Sequence, residues 1–247
     1  MCLSTPGTLH KAMIRRHFEY KQTITTILAD CEADIDLAKA GILDARIAVE
    51  AMVAADPFFA STFEPYDPGS DHPVICRMVD AAYEARVGPM AAVAGTIAWA
   101  GVEAIQDGGA LFGVVDNGGD IALMTDRVLR IGMYAGSASA GGQSAFLCPP
   151  QEKICGVCTS SATVGPSISL GTADAATVFS DDVSAADAWA TALCNRLSAD
   201  DQSEFNRLSG SRVHGAVAIF GDSLFSYGTV PKIVSAKIDM NLITRGI

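Results

Sequence analysis

Residues 109–124 read Gly109-Ala-Leu-Phe-Gly-Val-Val-Asp-Asn117-Gly118-Gly119-Asp120-Ile-Ala-Leu-Met124. Two apolar runs flank Asn117-Gly118-Gly119, where Asn and Gly tolerate the positive φ of a tight turn, so the segment predicts a β-hairpin. Just upstream, an uncharged Gly/Ala-rich run, Val87–Val102, is closed by Arg86 and Glu103, and a core helix is expected from about 88 to 106. The same order recurs later. A helix is expected over about 184–197, and HGAVAIFGDSLFSYG (214–228) reads as strand, Gly-Asp turn, strand. The residues barely match, so the echo is one of architecture. It predicts an α+β protein of antiparallel hairpins backed by helices. The whole chain, 1–247, would form one domain of two related halves, roughly 15–135 and 136–235, with a site between them.

The remaining segments fit this frame. Residues 1–12 read as a loose leader, and HFEYKQTITTIL (17–28) as a strand or hairpin. Residues 33–55 recur in apolar character at three and four and predict an amphipathic helix divided near Gly41, ended by Asp56-Pro57. A loop is expected over 57–73, a helix over 74–86 and a strand pair over 127–135. Residues 136–150 read as a small-residue and proline loop, 155–171 as mostly loop with short strands, and 198–212 as a polar break.

Composition narrows the partners. The 247 residues are 49% hydrophobic and 18% charged, enough apolar matter for a sizeable core. The net charge is −11, and Arg15, Arg16, His17 and Lys21 are the one small basic group. Nucleic acid is not the expected partner. An anionic small-molecule ligand would need a metal ion or oriented backbone N–H groups. The apolar run Val87–Val102 is shorter than the roughly 20 residues a spanning helix requires, so no membrane partner is expected. No secretory leader is visible, and seven scattered cysteines fit free thiols, which together suggest a cytoplasmic chain. The exposed hairpins could serve a homodimer.

Four groups of residues can carry chemistry. Asp187 and Thr191 stand four apart in SAADAWATAL (184–193) and would share a helix face. They can be oxygen ligands of Mg²⁺. Equally, Ser184-x-x-Asp187 fits a capping box, with Thr191 bonded to a carbonyl four back. Asn117, Gly118 and Gly119 form a turn or let backbone approach a ligand, with Asp120 accepting a hydrogen bond. Cys158-Thr159-Ser160-Ser161, with Thr163, Gly165 and Ser167 nearby, is either a solvated loop or a donor-rich phosphate cradle. A reactive Cys158 would need a lowered pKa. Cys155-x-x-Cys158 has no second CxxC or HxxxH, which argues against zinc. Gly88-Pro89-Met90-Ala91-Ala92-Val93-Ala94-Gly95 opens the expected helix with proline near its start, and its small residues allow close helix packing or close ligand approach. Neither GxGxxG nor GxxxxGK[ST] occurs, and no Ser-His-Asp pattern is evident.

Taken in order, RRHFEYKQT, VGPMAAVAGTIA, VVDNGGDIAL, GVCTSSATVGPSISLGTADAATV and AADAWATAL resemble the UPF0280 family over about residues 15–197. That family is in turn distantly similar to the ApbE family. The resemblance implies a duplicated, T-fold-like α+β architecture and Mg²⁺-dependent FMN transfer from FAD, or FAD pyrophosphatase activity. It implies metal ligands at Asp187 and Thr191, in the place of an ADAxAT motif. It also places Gly118-Gly119-Asp120 at the family's GGD turn and Thr159-Ser160 at its TS segment. FAD or FMN would be the cofactor, with Gly88, Met90, Asn117, Gly118, Gly119, Asp120 and Ser161 toward it, and Cys158, Thr159 and Ser160 catalytic. Two departures count against FMN transfer. The ApbE lysine falls near Ala91 here, with no Lys from 88 to 108, and the His-x-x-Asp-Pro stretch is replaced by ISLGTADAA. The UPF0280 resemblance further implies a link to sulfide assimilation and homocysteine formation, in which Cys158 would handle sulfur. A non-catalytic small-molecule-binding protein is the third reading.

Overall fold

A computed structural model describes residues 13–133, 144–161 and 173–236. Thr163, Gly165 and Ser167 lie outside the described residues, as do residues 1–12. The first hairpin pairs β1 (Ile14–Tyr20) with β2 (Thr23–Ala29). Then come α1 (Glu32–Ala55), the short α2 (Phe58–Ser61), α3 (Pro73–Ala85), a 3-10 turn at Pro89–Ala92, and α4 (Val93–Asp107). The second hairpin joins β3 (Gly113–Asn117) to β4 (Asp120–Thr125) through Gly118 and Gly119 at φ 72° and 108°, values that glycine adopts without strain.

Next follow β5 (Leu129–Gly132), β6 (Ser144–Cys148), β7 (Gln151–Ser160), β8 (Ala175–Ser180), α5 (Val183–Arg196), a second 3-10 turn (Ser203–Leu208), β9 (Val213–Phe220), β10 (Ser223–Gly228) and β11 (Lys232–Ser235). Eight strands form one antiparallel sheet in the order β1-β2-β3-β4-β7-β8-β9-β10. The other three form a small sheet, β11-β6-β5. On each side of the β4–β7 seam the order is two strands, a helix region, two strands. No single helix among the described residues is long and apolar enough to cross a membrane.

Strand alternation makes three layers. Val115, Ala122, Cys158, Ala176, Val178, Ala216 and Ala218 face the helices in one core. Val114, Leu123, Val157, Ala175, Phe179, Val217 and Ile219 face Phe146 and the small sheet in another. Helix α1 buries Ile35, Ala38, Ile42, Ala45 and Val49, the three-and-four spacing of one face. It is undivided. Gly41 serves close packing instead, since a Cβ there would stand 2.4 Å from the Ala100 carbonyl oxygen on α4.

Three segments depart from the sequence reading. Ser144–Cys148, expected as loop, is strand β6, and it takes the pairing with β5 that was expected within 127–135. Gln151–Ser160 is one ten-residue central strand, where mostly loop with short strands was expected from residue 155. Its small residues are there because α5 lies close. A Cβ on Gly156 would come within 2.9 Å of the Val183 Cα. A strand flanked by sheet neighbours and covered on both faces loses the polar–apolar contrast that marks a half-exposed one. Finally, the expected helix over 88–106 begins as the 3-10 turn before α4.

Candidate functional site

Helix α5 starts at Asp182. Its Oδ1 accepts the Ala185 N–H at 2.8 Å, and its Oδ2 accepts from Arg212 Nη1 at 2.5 Å. Asp182 therefore does the capping, and the capping-box alternative for Ser184-x-x-Asp187 fails. One turn into the helix, Asp187 is only 6% exposed and reaches across to the start of α4, where its Oδ2 accepts the Gly95 N–H at 2.7 Å. Gly95 is small because it must be: a Cβ there would stand 2.8 Å from the Asp187 Cβ. A second tie lies beside the first. Thr96 Oγ1 donates to the Ala92 carbonyl at 2.5 Å, so the Ser184 hydroxyl donates to Thr96 Oγ1, 2.7 Å away. Asn117 Nδ2 adds a third, to the Ala94 carbonyl at 3.0 Å.

The Gly118–Gly119 turn sets Asp120 at the first position of β4, opposite Cys158 of β7 in the antiparallel register. The Gly119 carbonyl accepts from the Thr159 N–H at 3.2 Å, and Gly119 N–H donates to Asp116 Oδ1 at 2.9 Å. Burial pushes the Asp120 carboxyl well above the usual range. The charges of Asp187 and Asp116 raise it further, while the Thr159 N–H and the Cys158 thiol pull it back in part. Burial likewise pushes Asp187 up, to about 7, against the lowering effect of the Gly95 and Ala94 N–H groups. A buried acid, Asp187, and a half-buried one, Asp120, thus share one locality, and among the described residues no lysine or arginine forms an ion pair with either.

Thr191 follows Asp187 by one turn of α5 and is half-buried. Ser160, 8% exposed, takes the helix-facing side of β7 by strand alternation from Cys158. Thr159 takes the other face, where its hydroxyl lies 2.9 Å from that of Thr177. Ser161 donates to the Asp174 carbonyl at 2.6 Å. The Thr159-Ser160 segment is thus divided between the two faces of the sheet. Cys158 is 0% exposed and its thiol donates to the Val183 carbonyl at 3.7 Å. Burial, then the charges of Asp120 and Asp187, push that thiol well up. This environment is the opposite of an activated thiol's. Gly88 packs on Thr62, whose carbonyl oxygen would be 2.0 Å from an added Cβ. Met90 lies half-buried in the 3-10 turn before α4.

The sequence reading brought Asn117, Asp120, Asp187 and the small-residue stretch ending at Gly95 forward, but it did not pair Gly95 with Asp187 and missed Thr96 and Asp116. The signal available was the glycine in a stretch of small residues ahead of an alanine-rich helix. No spacing rule links it to an acid 92 residues away.

Among the described residues no group of three or more His, Cys, Asp and Glu forms a metal cluster. The donors present are two carboxylates and nearby hydroxyls. Oxygen donors of this kind suit Mg²⁺, which characteristically takes one or two carboxylates and completes its shell with water and phosphate oxygens. On donor chemistry the locality fits such an ion.

A family model described as "AbpE bacteria" matches residues 7–218. A UPF0280 protein of Methanosphaerula palustris is 57% identical over 234 residues, covering 95% of this chain and 99% of its own. One from Methanoculleus marisnigri is 58% identical, covering 95% and 96%. Among solved structures, the flavin transferase ApbE from Vibrio cholerae matches with a TM-score of 0.54 at 10% identity, covering 91% of this chain and 97% of that one. The apo Pseudomonas stutzeri flavinyl transferase ApbE matches with a TM-score of 0.53 at 14% identity, covering 98% and 100%. At such identities the structural likeness speaks for the fold. With most of the chain matched in sequence as well, this protein is a member of the UPF0280 family, built on an ApbE-like α+β fold.

Proposed function

We propose that the protein binds Mg²⁺ through Asp187 and Asp120, with Thr191 as a hydroxyl donor, and through it a diphosphate-bearing ligand of the flavin or nucleotide class. The observation that carries this reading is the pair of acids, Asp187 buried and Asp120 half-buried, close enough for the charge of one to raise the other. Leaving two carboxylates so close, one of them buried, is costly unless a proton or a cation compensates them. A divalent ion removes that cost and supplies the positive charge that a chain of net charge −11 otherwise lacks beside an anion. When bound, such an ion neutralises charge on phosphate oxygens. The chain's own residues supply the frame. Gly95 N–H and the Ser184–Thr96 pair fix Asp187 against α4, and the Gly118–Gly119 turn fixes Asp120. The resemblance to ApbE flavin transferases supports a flavin transferase-like or pyrophosphatase-like activity.

A second reading, binding without turnover, is favoured by one observation: no lysine stands anywhere from 88 to 108, where ApbE proteins carry one. A sulfur-handling role for Cys158 has no support from its sealed environment.

The test is a titration of FAD with and without Mg²⁺, on the native protein and on Asp187→Asn. The expected result is tight binding only for the native protein with Mg²⁺. Equal binding in all cases overturns the reading. Binding with no release of FMN or AMP over long incubation selects the non-catalytic form.

A further inference from the structure

On the outer side of α5, two residues past Asp187 and so on the opposite face of the helix, the Trp189 ring floors a hollow of about 390 Å³. Its wall is made by Tyr83, Glu84 and Arg86 of α3 and its cap, and by Arg207 with the Ser209-Gly210-Ser211 turn. The volume lies within the roughly 300–1,000 Å³ of small-ligand clefts.

The charges in this hollow are not balanced in the way a plain salt-bridge network would be. Glu84 is its one carboxylate, and both of its oxygens are taken. Oε1 accepts from Trp189 Nε1 at 2.9 Å and from the Arg212 N–H at 3.1 Å, and Oε2 accepts from Arg212 Nε at 2.7 Å. Burial alone would raise Glu84. These bonds more than offset it and hold the carboxyl below its usual range. The donors are in surplus. Arg207 lies 5.3 Å over the Trp189 ring and gives Nη1 to Glu204, which also takes Arg196. The other nitrogens of Arg207 make no hydrogen bond among the described residues. Among the described residues the Arg86 guanidinium forms no ion pair either, and neither the Ser209 hydroxyl nor the Gly210 N–H has a hydrogen-bond partner. Gly210 holds φ 84°, which turns the backbone at the rim. Beside these donors the Tyr83 ring stands 54% exposed.

We propose that this hollow binds a phosphate monoester, with Arg86 and Arg207 on the phosphate oxygens and the Tyr83 ring against the organic part. Guanidinium groups form paired, charge-assisted hydrogen bonds with phosphate, and the one carboxylate lining the hollow, Glu84, has both oxygens already taken. An aromatic organic group gains further from Tyr83 by stacking. The site is separate from the acidic pair and needs no metal.

The chain holds two tryptophans, so Trp99→Phe leaves Trp189 as the one indole reporter. In that background, Trp189 fluorescence is titrated with AMP, inorganic phosphate and adenosine in EDTA. The expected result is a saturable change with AMP, a weaker one with phosphate, and none with adenosine. Arg86→Asn, chosen because Arg86 sits at φ 55° where Asn is tolerated, is expected to weaken AMP binding about tenfold, with Arg207→Gln similar. Asp187→Asn is expected to leave it unchanged, which separates this site from the proposed Mg²⁺ site. No saturable response, a response to adenosine equal to that of AMP, or AMP binding untouched in Arg86→Asn each overturns the proposal.

Discussion

Compare the two faces of the eight-stranded sheet. Toward the small sheet, Leu123, Val157, Phe179, Val217 and Ile219 close on Phe146, whose ring meets that of Phe179 edge-on at 4.9 Å. Toward the helices the same strands offer Ala122, Gly156, Cys158, Ala176, Ala216 and Ala218, and among them Asn117 and Asp120. The helices answer with Gly95, Thr96, Ser184 and Asp187. One face buries bulk. The other gives up bulk so that helices can come close enough for polar groups to meet. Buried polar groups hold only when each finds a partner, and they cluster where a fold is shaped by something besides stability.

That contrast can be broken at its strongest point first. Phe146→Ala removes the centre of the apolar face and is expected to cost about 3–5 kcal/mol, read as a lower urea midpoint with unchanged slope. A loss no larger than that of an exposed position such as Phe63→Ala would show that this face does not carry the fold. On the polar face the sensitive positions are the small ones. Gly95→Ala forces a methyl to within 2.8 Å of the Asp187 Cβ and is expected to cost roughly 1–3 kcal/mol by thermal denaturation. A neutral result would mean that α4 and α5 are not held together there.

The hydroxyl pair sharpens the comparison at a smaller scale. Thr96→Val leaves the buried Ser184 hydroxyl without its acceptor and should cost about 1–3 kcal/mol. Adding Ser184→Ala should return part of that loss, so the double-mutant cycle is predicted to be non-additive. Additive losses would mean the two hydroxyls act separately.

The last effect is in pH. Burial raises Asp187 from an unfolded value near 3.9 to about 7, and raises Asp120 as well. Between those limits the folded state holds more protons than the unfolded one. Stability in EDTA should therefore fall as pH rises from about 4 to about 7. Asp187→Asn should flatten that slope, and Mg²⁺ should oppose it. A slope that is the same in the variant would locate the proton uptake elsewhere.

Much of the fold was legible because period and turn chemistry are local. Asn117-Gly118-Gly119, the α1 repeat and the 184–197 helix each declare themselves within a dozen residues. What stayed hidden depends on distant neighbours. Strand β7 carries Gly156 and Cys158 because α5 presses on it, so its small residues mimic a loop. The site was half visible for the same reason. Asp187 stood out as an acid in an alanine run, but its contact with Gly95 exists only once α4 and α5 lie together. The capping motif Ser184-x-x-Asp187 misled because Asp182, two residues earlier, already capped the helix.

The threading of the large sheet carries a consequence for how the chain acquires its shape. Beyond the seam, β8 and β9 are separated by residues 181–212, while β2 waits for β3 across residues 30–112. Loop closure is costlier for the longer span, and non-local pairings form more slowly. The carboxy-terminal strands are thus placed to act as the template on which the amino-terminal ones are laid last. Pulsed hydrogen exchange during refolding should protect amides of β8 and β9 before those of β2 and β3, and the reverse order would refute it.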